Sequence, residues 1–100
     1  MIFEIKSWLN SEVLFICDAE NIKEAVEKAI KEKADLRYAD LRYAYLSYAD
    51  LSHSDLSHAD LRYTDLSYAD LSYADLRYAD LRSAKGSFYF NFGIKLKVVE

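Results

Sequence analysis

"ADLRYADLRYAYLSYADLSHSDLSHADLRY", residues 34–63, carries Leu at every fifth position, and the same step continues to residue 83. Leu stands at 36, 41, 46, 51, 56, 61, 66, 71, 76 and 81. A small residue precedes each Leu by two places: Ala eight times, with Ser54 and Thr64 as the exceptions. Asp lies between the two in nine of the ten units, and Tyr45 replaces it in the third. A step of five fits no straight element. In a helix it rotates successive Leu residues by about 140° and smears them around the axis. In a flat strand an odd step sends alternate Leu residues to opposite faces. The chain must therefore turn a corner in every unit. Within a unit, period two puts Leu and the small residue on one side and Asp on the other. Cornering every five residues winds the chain into a coil with Leu and Ala inside and the fifth residue of each unit near the corner. Backbone hydrogen bonds must then join each coil to the next, at a spacing of about 4.8 Å.

The residue after each Leu suggests how many units close a coil. Four units per coil stack Arg42, Arg62 and Arg82 in one column, and give two columns of Ser alone, Ser47 with Ser67 and Ser52 with Ser72. This tandem run resembles the pentapeptide repeat family, whose consensus is A(D/N)LXX. The resemblance covers about half the chain and implies a mainly β fold, a right-handed quadrilateral β-helix with four units per coil, here about two and a half coils. Tyr45 in place of Asp, and Ser54 and Thr64 in place of Ala, depart from the consensus without breaking the interior pattern.

The flanking segments read differently. "IFEIKSW" and "VLFICD" are rich in β-branched and aromatic residues around the turn signal "LNSE", which predicts a hairpin. In "NIKEAVEKAIKEK", Asn21 is placed as an N-cap and Glu24 completes a capping box. Ile22, Ala25, Val26, Ala29 and Ile30 form the apolar stripe of a helix over 22–33. Residues 1–33 are thus expected to be a ββα cap on the 34–83 repeat. A solenoid this short exposes its Leu layers at both ends and needs such caps. Residues 84–100 alternate apolar side chains from Phe88 to Val98, predicting a C-terminal strand or second cap. Its partner is left open among the last coil, the hairpin and a second copy.

Charge bounds the function. Residues 1–33 carry a net −2, residues 34–83 a net −4 and residues 84–100 a net +2. Clustered cations are lacking, so direct nucleic-acid binding is not expected. An acidic array points instead to a basic partner. No run of eighteen apolar residues is present, so no membrane span is expected. The N-terminus lacks the pattern of a signal peptide, which predicts a cytoplasmic protein. Cys17 is alone and reads as a small side chain buried in a strand.

Chemistry in the repeats is not expected. Nine Asp residues spread around a coil, without Gly turns, do not make a metal site. His53 and His58 read as substitutes for Tyr at the corners, His58 in a column with Tyr38 and Tyr78. "SHSD" contains the letters of a triad, but an outward array offers no sheltered pocket. The chain is therefore read as non-enzymatic, with no cofactor and no metal.

The contact residues are read from charge and aromatic columns. Asp50, Asp65 and Asp70 lie in columns with only Ser beside them and no cation, a strip of carboxylates able to stand in for phosphates. Tyr45, Tyr48, Tyr68 and Tyr73 flank that strip as aromatic contacts. Phe88, Phe90 and Phe92 are candidates for self-association, in a monomer or homodimer. The family resemblance implies a DNA-mimicking inhibitor that blocks a basic nucleic-acid-binding complex, of the anti-CRISPR or other phage anti-defence kind. It also implies one alternative, a protein binding DNA gyrase, and the Phe-rich C-terminal strand adds another, a structural or assembly module.

Overall fold

A computed structural model describes residues 1–86 and the strand Lys95–Val99. Phe88, Phe90 and Phe92 lie outside the described residues. The chain opens with β1 (Ile2–Lys6) and β2 (Val13–Asp18), antiparallel, with Ile2 opposite Asp18 and a register shift between Ile5 and Lys6. Their turn is closed by Ser7 N–H donating to Glu12 O at 2.8 Å, and Ser11 takes a left-handed φ of 63°. Cys17 sits in β2 opposite Phe3, half-buried rather than fully enclosed.

Helix α1 (Ile22–Lys31) begins where its cap is satisfied: Glu24 N–H donates to Asn21 Oδ1 at 2.8 Å. The expected capping box forms by half. The Glu24 carboxylate faces Lys28 Nζ at 3.6 Å, one turn further along. The helix also stops two residues before the expected Lys33. Lys33 adopts φ 59°, its N–H donates to Ile30 O and that of Ala34 to Ala29 O. This pair of bonds is a Schellman motif, which satisfies the last carbonyls and turns the chain into the repeat.

From Ala34 onward the chain turns a corner in every unit. The N–H of each small residue returns to the preceding Leu carbonyl, from Ala39 to Leu36 at 3.1 Å through Ala84 to Leu81 at 3.0 Å. The fifth residue of all ten units, Tyr38 to Ser83, has φ between 59° and 67°. A positive φ at the third turn position only is the signature of a type II turn, usually met with Gly or Asn. Here Tyr, His and Ser supply it.

Parallel bridges join residues twenty apart, Asp40 with Asp60, Tyr45 with Asp65, Asp50 with Asp70, Asp55 with Asp75 and Asp60 with Asp80. Four five-residue units therefore separate each bridged pair, and the repeat forms a β-helix of stacked passes. The Leu residues from 36 to 76 and the Ala residues between them form one core, while Leu81 is half-buried. Ser54 and Thr64, at Ala positions, are buried without cost to the pattern: their hydroxyls donate to Leu51 O (2.6 Å) and Leu61 O (2.8 Å).

The twenty-residue step outlasts the Leu repeat. Asp65 bridges Lys85, and β3 (Asp75–Asp80) pairs in parallel with β4 (Lys95–Val99), Asp75 opposite Lys95 and Leu76 opposite Leu96. Of the partners left open for the C-terminal strand, the chain uses the repeat itself. Gly86 stands where the next Leu would fall, with φ 129°. A Cβ there would lie 2.6 Å from Ser67 N, so only glycine fits.

The N-terminal segment closes the first pass. Ile5, Val26 and Ala29 share the core with Leu36, Leu41 and Leu46. Two backbone N–H groups whose counterparts in higher passes bond to a pass beneath are met by the hairpin and the helix. Asp40 N–H donates to Lys6 O (2.7 Å), and Asp50 N–H donates to Glu27 Oε2 (2.8 Å). An edge that would otherwise template pairing with another chain is blunted in this way.

Candidate functional site

The five-residue unit dictates where every outward side chain goes. Corner residues stack on one another from pass to pass: Tyr43 on Tyr63 at 5.0 Å, Tyr48 on Tyr68 at 4.9 Å and His53 on Tyr73 at 4.9 Å between ring centroids. The fourth corner stacks Tyr38, His58 and Tyr78, as the shared column implied, and Trp8 of the hairpin tilts against Tyr38 at 5.6 Å. Trp8 Nε1 also donates to His58 O at 2.6 Å, tying the N-terminal segment to the second pass. Trp8 lies outside the repeat and carries no periodic signal.

The Asp carboxylates have local work that spacing alone does not show. Each accepts the backbone N–H two residues on: Ser52 N–H to Asp50 (3.1 Å), Ser67 N–H to Asp65 (3.0 Å) and Ser72 N–H to Asp70 (2.9 Å). These are Asx turns that brace the corner. Ser67, through its side chain and then its backbone N–H, holds Asp65 below the usual carboxylate range, and Ser72 does the same for Asp70. Where Arg follows Leu, its guanidinium does more. Asp35, Asp40 and Asp80 are held low first by the side chains of Arg37, Arg42 and Arg82.

Carboxylates whose pKa is lowered by folding contribute stability that is present above the ordinary Asp value near 4 and lost as pH falls through the lower folded values. Urea midpoints are accordingly expected to hold steady from pH 7 to about 5 and to fall on acidification below about 4. A midpoint unchanged at pH 3 would show that these bonds contribute nothing to stability.

The outward columns differ in charge. Arg42, Arg62 and Arg82 each grip their own Asp at 2.6–2.9 Å. Arg42 and Arg62 also reach the Asp of the next pass at 3.7–3.8 Å, an alternating ladder with no net charge. A cleft of about 420 Å³ lies beside it, lined by Trp8, His58, Tyr78, Arg62 and Arg82 among others.

The expected cation-free strip is smaller than its sequence suggests. Lys85 Nζ stands 3.8 Å from Asp65 Oδ2, because the ladder places residue 85 directly on residue 65. Asp65 is therefore not flanked by Ser alone. Asp50 and Asp70, bridged to each other and exposed, have no ion pair among the described residues. The structure thus brings together Asp50 and Asp70 with the Tyr48–Tyr68 corner on one border and the His53–Tyr73 corner on the other. Tyr45 sits beyond Tyr48, in the Asp65 column.

No helix among the described residues is long and apolar enough to cross a membrane. A family model described as pentapeptide repeats matches residues 34–67 and 49–85, in eight copies. No curated protein and no solved structure matches the chain.

Proposed function

This chain belongs to the pentapeptide repeat family, and from that premise we propose that it is a non-enzymatic, protein-binding inhibitor whose β-helix is right-handed and four-sided. The bridges at a constant twenty residues support four units per coil. The partner is a basic nucleic-acid-binding protein or complex inside the cell, blocked by partial mimicry of DNA, as a phage anti-defence or anti-CRISPR protein would do. One observation carries this reading: Asp50 and Asp70 stack as exposed carboxylates, without an ion pair among the described residues, between two aromatic corners. Stacked passes space such carboxylates about 4.8 Å apart, against one phosphate per about 3.4 Å along a DNA strand. The charge density is of the right order, over a short stretch. Tyr48, Tyr68 and Tyr73 border it with rigid contact area at low entropic cost.

A direct test is capture from host lysate on the immobilised chain, with rising salt and with duplex DNA as competitor. The captured protein is expected to be displaced by DNA and to elute between low and moderate salt. The Asp50→Asn/Asp70→Asn variant is expected to retain it at least about tenfold less well, since each rim charge contributes mainly to electrostatic attraction. Asn still accepts the Ser52 and Ser72 N–H bonds, so the fold is preserved. Capture indifferent to salt, to DNA and to both substitutions would leave mimicry without support.

A further inference from the structure

Five tyrosines frame one side of the β-helix. Tyr43 and Tyr63 stack along one border, Tyr48 and Tyr68 along the other, and Tyr45 stands between them where nine other units carry Asp. Each is between 53% and 72% exposed. At the usual size of an aromatic side chain they present roughly 600 Å² together. That is at the upper limit of the largest patch on a typical monomer, about 300–600 Å², and most of the about 800 Å² per partner of a standard interface. The charges within the frame among the described residues, Asp65 and Lys85, pair with each other at 3.8 Å and cancel. Its borders differ. Just before the Tyr43–Tyr63 corner runs the neutral Arg–Asp ladder, in which Arg42 and Arg62 are more exposed than the Asp40 and Asp60 they grip, and just after the Tyr48–Tyr68 corner stand the acidic Asp50 and Asp70.

We propose that this tyrosine face is the interface with a second copy of the chain, the two copies lying side by side and parallel about a two-fold axis along the stacking direction. An isologous contact puts the same patch against itself, which the neutral, aromatic centre permits. The borders then choose the axis. A two-fold along the stack sets the Arg42–Arg62 border of each copy opposite the Asp50–Asp70 border of the other. A two-fold across the stack sets Asp against Asp. Border charges add little affinity but fix register and reject the repulsive arrangement. The inference goes beyond the basic-partner reading, because the tyrosine frame is used whether or not that partner exists.

Sedimentation equilibrium on the full chain tests it. Wild type is expected to dimerise at tens of micromolar or below. Tyr45→Asp restores the residue found in nine of ten units, keeps the fold by circular dichroism, and is expected to weaken the dimer at least about tenfold by placing a second carboxylate in the centre. Asp50→Lys/Asp70→Lys, which sets like charges across the parallel borders, is expected to weaken it as well. A wild type that stays monomeric near 1 mM would overturn the proposal. So would a dimer that survives Tyr45→Asp but dissolves when Phe88, Phe90 and Phe92 become Ser. A Lys double variant that dimerises as tightly as wild type would overturn the parallel axis. Tyr43→Ser/Tyr63→Ser, which leaves Asp50, Asp70 and the rings beside them untouched, is expected to weaken the dimer and to keep the salt-sensitive capture of a basic partner, so a failed dimer and a failed mimic remain distinguishable.

Discussion

Deletion of residues 1–33 is expected to leave an aggregating chain. Ile5, Val26 and Ala29 form the floor on which Leu36, Leu41 and Leu46 rest, so the truncation opens the first Leu layer to water. It also strips Lys6 O from the Asp40 N–H and the Glu27 carboxylate from the Asp50 N–H. Oily residues and unpaired strand edge are then exposed on the same surface, the combination that templates chain-to-chain pairing. The measurement is the soluble fraction after expression, with light scattering on whatever remains soluble. A truncated chain that stays monomeric and melts in a single cooperative step would sink the idea that the hairpin and helix seal the repeat.

The second large effect belongs to the interior. Leu61→Ala is expected to cost about 3–4 kcal/mol, read as a lower urea midpoint at unchanged slope. Leu61 is fully buried in the second pass, with other passes on both sides, so the space it leaves cannot fill from solvent or by easy collapse. By contrast Tyr68→Ser, at an exposed corner, is expected to cost under about 1.5 kcal/mol, the worth of one stacked pair. Equal losses at the two positions would mean that the corner stacks, not the Leu layers, hold the passes together.

The contrast reflects what the sequence could show. Leu at a step of five admits a single arrangement, so the interior is legible from geometry, while the twenty-residue ladder is hinted at only by the Arg and Ser columns after each Leu and by the family resemblance. Asn21 and the apolar stripe placed the helix equally well, because capping and periodicity are local. What stayed hidden was non-local or conformational. Lys85 does not announce itself as a neighbour of Asp65, because Gly86 replaces Leu and the unit looks finished at Ser83; only its distance of twenty residues from Asp65 marks it. The Asx turns were hidden because a carboxylate that braces a backbone N–H and one that awaits a partner have the same letter. Trp8 was hidden because its contacts, with Tyr38 and the His58 carbonyl, lie thirty and fifty positions away in a segment without periodicity.

The ten corners in the left-handed region set terms for how this molecule is made. A non-glycine residue held there costs on the order of 1 kcal/mol or more, about what one ring-on-ring contact returns. A first turn of the winding with nothing beneath it would therefore unwind. The hairpin and helix leave the ribosome before the repeat does, and their own contacts are short-range, so they can form early and be held as the first pass docks on them. With Lys6, Trp8 and Glu27 already in place, the emerging winding meets a ready ledge. Every later segment then has to find only what was laid down twenty residues earlier. Growth runs in one direction, from a primer, at a search distance that never lengthens.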